Sequence, residues 1–119
     1  MKPLIIYGKS GIGKTHFSLR LHRIYVLKNK YSLFLTANDL IQVWIFEFNM
    51  SSELLIKYLQ SFELIIIDDM DFLEDKKTTL KCLKTVFLRV LEIGSIIIVI
   101  LPKSPKFFKN IYSNLINND

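Results

Sequence analysis

The sequence contains few of the residues that build disulfide frameworks, flexible linkers or collagen-like repeats. Its 119 residues include one cysteine, three prolines and four glycines. A single cysteine, Cys82, excludes an internal disulfide and agrees with a reducing compartment. The scarcity of proline and glycine, beside a hydrophobic content of 50%, also excludes a disordered tail, a collagen-like chain and a linker.

Long apolar runs are missing as well. The longest run, residues 96–101, is far shorter than the roughly 20 residues that cross a bilayer as a helix. The first nine residues do not resemble a signal peptide, because their apolar stretch is short and is followed by Gly8 and Lys9 rather than by a cleavage site. We therefore expect a cytoplasmic protein without a membrane span.

Arginine is rare among the charged residues. The chain has 16 Lys and Arg residues against 11 Asp and Glu residues, a net charge of +5, and only Arg20, Arg23 and Arg89 are arginines. A basic balance mildly favours anionic partners such as nucleotides or nucleic acid. It does not by itself identify one.

Short apolar runs alternate with longer helix-like stretches along the chain. This alternation predicts βα units and a mostly parallel sheet of about four strands, with helices on both faces. The runs are nearly continuous in Ile, Leu and Val, which is typical of strands buried on both faces. The expected strands are residues 4–7, 31–35, 64–67 and 96–101, and the expected helices are residues 14–27, 38–60 with a break near 49–52, 76–92 and 105–115.

The clearest chemical motif follows the first expected strand. Residues 8–15 fit the pattern G-x-x-x-x-G-K-[ST] between a strand and a helix, which is the context that a phosphate-binding loop requires. Its glycines allow backbone N–H groups to approach phosphate, Lys14 is expected to neutralise the β and γ phosphates, and Thr15 to bind Mg²⁺. The predicted ATP-binding residues are Gly8, Lys9, Ser10, Gly11, Ile12, Gly13, Lys14, Thr15 and His16.

Two carboxylates follow the third expected strand. In an open parallel sheet, ligands bind beyond the carboxyl ends of strands, so Asp68 and Asp69 are expected to converge with the phosphate loop. Asp68 is predicted to hold Mg²⁺, and Asp69 to orient or activate the attacking water. The alternative is a solvated acidic loop, since Asp71, Glu74 and Asp75 follow.

Four segments together resemble a known family. They read PLIIYG at residues 3–8, GKTH at 13–16, LTANDLI at 35–41 and IIDDMDFL at 66–73. In order and spacing they are similar to the AAA+ domain of the bacterial chromosomal replication initiator family, DnaA. The resemblance implies a three-layer P-loop NTPase fold of AAA+/ASCE type, ATP and Mg²⁺ as cofactors, and other initiator subunits and origin DNA as partners.

The sequence departs from the pattern of that family after the fourth expected strand. The family places polar sensor residues there, whereas this chain has Leu101 and Pro102, and no arginine occurs in residues 107–119 where a finger is expected. The resemblance also implies a lid domain and a helix-turn-helix that these residues do not contain. We therefore expect residues 1–119 to be a single truncated nucleotide-binding core with weak or absent hydrolysis and weak DNA binding on its own.

Two other interpretations stay open at this point. A helicase-loader ATPase shares the GKTH start and the Ile-Asp-Asp strand end, and a nucleotide-binding interaction module without hydrolysis also fits the missing sensor and finger. For single residues a structural role is favoured over a functional one. Trp44, Phe46 and Phe48 are expected to be core residues rather than base-stacking ones, and Lys77, Lys81 and Lys84 to form a solvated helix face.

Overall fold

The fold was obtained as a computed structural model, which describes residues 2–8 and 12–117 and, for residues 12–15, the backbone alone. The strands are β1 Leu4–Tyr7, β2 Ser32–Thr36, β3 Leu64–Asp68 and β4 Ile96–Leu101. The helices are α1 Ile12–Leu27, α2 Ala37–Phe46, α3 Ser52–Leu59, α4 Lys77–Ile93 and a short α5 Lys109–Ile111. Short turns cover Met70–Leu73 and Pro105–Phe107, both 3₁₀, and Tyr112–Ile116, a π turn.

The four strands form one sheet in the order β1-β4-β3-β2, and all three neighbouring pairs are parallel. The first connection carries the chain from one edge of the sheet to the other, and the next two return inward. The last strand therefore lies between β1 and β3. This arrangement confirms the expected parallel sheet of four strands.

Alternate side chains of each strand pack on opposite faces of the sheet, which is why the strands read as continuous apolar runs. On one face, Ile66 and Ile98 pack with residues of α1, including Leu21. On the other, Ile65 and Ile97 join a larger core with α2, α3, α4 and α5. Helices on both faces of the sheet are thus confirmed.

Local sequence explains where several helices begin and end. Thr36 and Asp39 form the expected capping box, in which the Thr36 hydroxyl accepts from the Asp39 N–H at 3.1 Å. Gly94 ends α4 with a φ of 118°, a conformation in which a residue without a Cβ is favoured. Between α2 and α3, Asn49 and Met50 both have positive φ, which breaks the helix where the sequence predicted a break.

The last expected helix is only partly formed. A turn at Pro105–Phe107 is separated from α5 by Phe108, whose φ of −123° and ψ of 81° are not helical. We refer to residues 105–116 as the C-terminal segment. Ile111 within it is fully buried, so the segment is packed into the core despite its broken helix.

No helix in the described part of the chain is both long enough and apolar enough to cross a membrane.

Candidate functional site at the carboxyl edge of the sheet

The carboxyl ends of the four strands lie in one row. Tyr7 of β1 pairs with Leu101 of β4, and Thr36 of β2 pairs with Asp68 of β3. Because neighbouring strands lie about 4.8 Å apart, the end of β1 is about 10 Å from the end of β3 across β4. A ligand of nucleotide size placed over this edge is within reach of the loops that follow both strands.

The loop that follows β1 carries the predicted phosphate motif. Gly8 has a φ of 150°, where a Cβ would be strained, and α1 begins at Ile12. The motif therefore lies between a strand and a helix, which is the context that it requires. Several predicted ATP-binding residues lie outside what the structure describes. Lys9, Ser10 and Gly11 are not described at all. For Ile12, Gly13, Lys14 and Thr15 the structure describes only the helical backbone.

His16 is the first residue of α1 whose side chain is described, and it is exposed to solvent. It lies in the first turns of the helix, close in sequence to the phosphate loop. Its predicted role in ATP binding stays a prediction.

The Asp68 carboxylate at the end of β3 is held by its neighbour. Its Oδ1 accepts a hydrogen bond from the Asp69 N–H at 2.8 Å. Asp69 adopts a left-handed backbone conformation, with φ 53° and ψ 42°, which is uncommon outside glycine, asparagine and aspartate. This sharp turn directs the chain from β3 into the turn Met70–Leu73.

The Asp69 carboxyl lies in an environment that disfavours its charge. Partial burial raises the pKa of Asp69 above its ordinary value, and the negative charges of Asp68 and Asp71 raise it further. A cation placed among these carboxylates would relieve the repulsion. In the described residues no group of three or more His, Cys, Asp or Glu side chains is arranged to hold a metal ion.

The alternative interpretation of the sequence places Glu74 in a solvated acidic loop, and the structure places it differently. Its carboxylate accepts hydrogen bonds from the Asn110 N–H, at 3.0 and 3.1 Å to its two oxygens, and from the Ile111 N–H at 3.1 Å. The Asn110 side-chain amide donates to the Glu74 carbonyl oxygen at 2.7 Å. No local pattern could have predicted these contacts, because the partners are 36 residues apart.

β4 ends in an apolar residue. Leu101 is fully buried and belongs to the larger core. The next cation along the chain, Lys103, lies 5.5 Å from the ring centre of Phe107, which is 70% exposed. The Leu101 side chain therefore packs in the core and offers no polar group at this edge of the sheet.

The expectations for the aromatic residues and lysines were met in part. Trp44 is a core residue, 1% exposed, and Phe48 packs on Tyr58 with ring centres 5.5 Å apart, whereas Phe46 is 74% exposed. Lys77 and Lys81 are exposed on α4, as expected for a solvated face, whereas Lys84 is half-buried.

Comparison with known proteins identifies a family. The family model of the bacterial DnaA ATPase domain matches residues 1–118 of the sequence. The chromosomal replication initiator protein DnaA of Mycoplasma pneumoniae is 26% identical over 122 residues, which cover 97% of this chain and 28% of that protein. The DnaA of Buchnera aphidicola subsp. Baizongia pistaciae is 37% identical over 81 residues, 63% of this chain and 17% of that protein. The chain thus spans less than a third of the length of these relatives.

Solved structures share the fold. Domain III of the Thermotoga maritima replication initiation protein DnaA superposes with a TM-score of 0.80 and 20% identity over 94% of this chain and 50% of that one. A replication initiator DnaA bound to AMPPCP and single-stranded DNA gives 0.79 and 22%, over 92% and 34%. The DnaC helicase loader gives 0.59 and 18%, over 96% and 68%. At these identities the likeness concerns the fold alone.

Proposed function

The chain belongs to the family of bacterial DnaA ATPase domains, and from that premise we propose that it is a core that binds ATP with Mg²⁺. The observation that carries the proposal is the common row of strand ends. Gly8 after β1 and Asp68 after β3 lie at the same edge of the sheet, two strand spacings apart. A phosphate loop and a metal-binding carboxylate need this arrangement in order to act on one nucleotide.

The phosphates are proposed to lie over the start of α1. Backbone N–H groups at the first turn of a helix are unpaired and point towards an anion, and the helix dipole favours negative charge there. Lys14 supplies a full positive charge to the β and γ phosphates. The residues proposed to surround the nucleotide are those of the motif, Gly8 to Thr15, with His16.

Mg²⁺ is proposed to be held by Thr15 and Asp68. Carboxylate and hydroxyl oxygens suit this hard cation, which usually takes only one or two protein carboxylates and fills its shell with water and phosphate oxygens. The donor set at the end of β3 therefore fits the ion. When bound, Mg²⁺ would neutralise charge on the phosphates, and Asp69 would orient a water towards them.

We propose that hydrolysis by this chain is slow. Stabilising the γ-phosphate in the transition state requires fixed positive charge, and an arginine finger is worth about a thousandfold or more in rate. Leu101 is buried and cannot supply a polar group, the last arginine in the sequence is Arg89 on α4, and Lys103 is a flexible point charge beside Phe107. An arginine donated by a full-length initiator subunit is one way to restore turnover.

We propose a cellular role in the initiation of chromosomal replication, because the relatives are named chromosomal replication initiator proteins. The proposed partners are other initiator subunits and origin DNA. Residues 1–119 are proposed to form a single nucleotide-binding core. DNA binding by this chain alone is proposed to be weak. The family resemblance implies that the region between the second and third strands helps contact single-stranded DNA. In residues 38–63 Lys57 is the only cation, whereas Asp39, Glu47, Glu53 and Glu63 are acidic.

The test of nucleotide binding is a titration with a fluorescent ATP analogue in the presence of Mg²⁺. Lys14→Ala should weaken binding by about thirtyfold or more, since a charge-assisted contact is worth about 2 kcal/mol. Lys28→Ala is the matched control, because it removes the same charge from an exposed position just after the far end of α1. Equal affinities for wild type and Lys14→Ala would refute the proposal.

Two rival functions are separated by a second measurement, the single-turnover hydrolysis of bound ATP. The non-hydrolysing interaction module is favoured by the buried Leu101, and predicts binding with negligible turnover both alone and beside a full-length initiator. A helicase-loader activity predicts stimulation by a replicative helicase instead. Turnover of the isolated chain on the order of one per second or faster would contradict our proposal of slow hydrolysis.

A further inference from the structure

Glu74 and Asn110 join two segments that follow neighbouring strands. Both oxygens of the Glu74 carboxylate accept hydrogen bonds from the main-chain N–H groups of Asn110 and Ile111, at 3.0–3.1 Å. The Asn110 side-chain amide donates a hydrogen bond to the Glu74 carbonyl oxygen at 2.7 Å. We call these contacts the clamp. All four contacts are partly buried. Hydrogen bonds to a charged acceptor are about twice as strong as neutral ones, so this clamp fixes the position of both segments.

One end of the clamp is connected to the backbone of Asp69, in the proposed nucleotide site, by two hydrogen bonds between main-chain groups. The Phe72 N–H donates to the Asp69 carbonyl at 3.1 Å, and the Glu74 N–H donates to the Asp71 carbonyl at 3.0 Å. Residues 69–74 therefore form two successive closed turns. The two closed turns leave no unconstrained backbone between Glu74 and Asp69. A shift of Glu74 is therefore transmitted to Asp69.

The other end of the clamp is anchored in the core. Ile111 is fully buried, and Leu115 in the same C-terminal segment is 5% exposed. Core packing therefore fixes the main-chain N–H groups of Asn110 and Ile111 that donate to Glu74. They form a rigid support for the loop after β3.

Asp69 needs such a support, because its left-handed backbone costs free energy that the surrounding structure must offset. We propose that Glu74 is a positioning residue for the metal side of the nucleotide site, acting on Asp68 and Asp69 through the turn Met70–Leu73. The inference rests on the proposed function for its effect on nucleotide binding. The mechanical link itself can be tested without any ligand.

The first experiment measures amide hydrogen exchange of the unliganded chain by NMR. Glu74→Gln keeps the size of the side chain but removes its charge and one of its two acceptor oxygens, so the amide of Asn110, of Ile111 or of both should exchange faster. Positioning also requires faster exchange at the amides of Phe72 and Glu74. Faster exchange confined to residues 110 and 111 would overturn the inference, since Glu74 would then only cap α5.

The second experiment compares the affinity for a fluorescent ATP analogue with Mg²⁺ and with EDTA. Residues that orient metal ligands typically change metal affinity by tenfold or more, so Glu74→Gln should reduce the gain from Mg²⁺ by about tenfold. The affinity in EDTA, which depends on the phosphate loop, should change less than twofold. Glu92→Gln, the same change at an exposed position of α4, should alter neither value.

The outcomes distinguish this inference from the proposed function. An equal loss of affinity with and without Mg²⁺, or no loss in either, would overturn the positioning role of Glu74. If wild type binds no nucleotide, the proposed function fails, and the exchange experiment still decides whether the clamp holds the loop. Should Glu74→Gln fail to fold, Asn110→Ala removes only the 2.7 Å side-chain bond and should show the same pattern with a smaller effect.

Discussion

The phosphate loop and the loop after β3 lie at the same edge of one sheet, but they are specified over very different distances along the chain. Eight consecutive residues, 8–15, contain every group that the phosphate motif needs. Residues 68–74, by contrast, are held by a bond from Asp69 to Asp68, by the buried side chains of Met70 and Leu73, and by the contacts between Glu74 and Asn110.

This difference predicts that the two halves of the site fail in different ways. A change within the phosphate motif should strongly weaken binding of the phosphates and leave the fold intact, because the motif is local. A change in the packing below the loop after β3 should affect both stability and the response to Mg²⁺. Variants at the second loop therefore test the comparison most directly.

The largest effect is expected for Leu73→Ala. Leu73, four residues after Asp69, is fully buried in the larger core, and removing its side chain leaves a cavity that costs about 2–5 kcal/mol of unfolding free energy. Urea denaturation measures this loss. Leu54→Ala on α3, where the side chain is 46% exposed, is the matched control and should cost less than about 1 kcal/mol. Similar losses in the two variants would show that packing does not hold this loop.

A smaller effect is expected for Asp68→Asn. Asparagine keeps an oxygen that can accept the Asp69 N–H but removes the charge that would bind Mg²⁺, so the Mg²⁺ concentration needed for tight analogue binding should rise about tenfold, or about 1.4 kcal/mol. Asp75→Asn is the control, because that exposed carboxylate pairs only with Lys76 among its described contacts, at 3.2 Å. An unchanged Mg²⁺ requirement in Asp68→Asn would remove this residue from the site.

The same contrast explains what could be predicted from sequence. Strands β1 and β4 have the predicted bounds, β2 is displaced by one residue and α4 by one at each end, because continuous Ile and Leu runs and amphipathic spacing are local properties. The capping box at Thr36 is equally local. The phosphate motif belongs to the same class.

Features that depend on distant residues were not predictable. The expected helix over residues 105–115 is interrupted at Phe108 and resumes in α5 where Glu74 accepts the Asn110 and Ile111 N–H groups. The contact at the start of α5 joins residues that are 36 positions apart, and periodicity contains no information about such a contact. The role of Glu74 was hidden for the same reason, since one acidic residue among several looks like a solvated loop.

The smallest effect concerns the charge of Asp69, and its sign is opposite to that of the other variants. Asparagine has nearly the same size as aspartate and tolerates a φ of 53°, so Asp69→Asn should keep the turn while removing repulsion from Asp68 and Asp71. Because Asp69 is largely exposed, the repulsion is screened, and we expect Tm at pH 7 to rise by only about 1–3 °C.

The pH dependence of that gain tests its cause. The pKa of Asp69 is raised in the folded chain above its ordinary value of 3.8, so the folded state holds the proton more tightly than the unfolded state does. Stability contributed by the protonated group is therefore complete below pH 3.8 and is lost as the pH rises through the raised pKa. The Tm difference between Asp69→Asn and wild type should accordingly be smallest near pH 3 and grow until the wild-type carboxyl is fully ionised. Asp75→Asn, measured in parallel, should show no such growth. A difference that shrinks between pH 4 and pH 7 would mean that the Asp69 carboxylate is stabilised by its surroundings, and that the loop after β3 needs no cation to offset its charge.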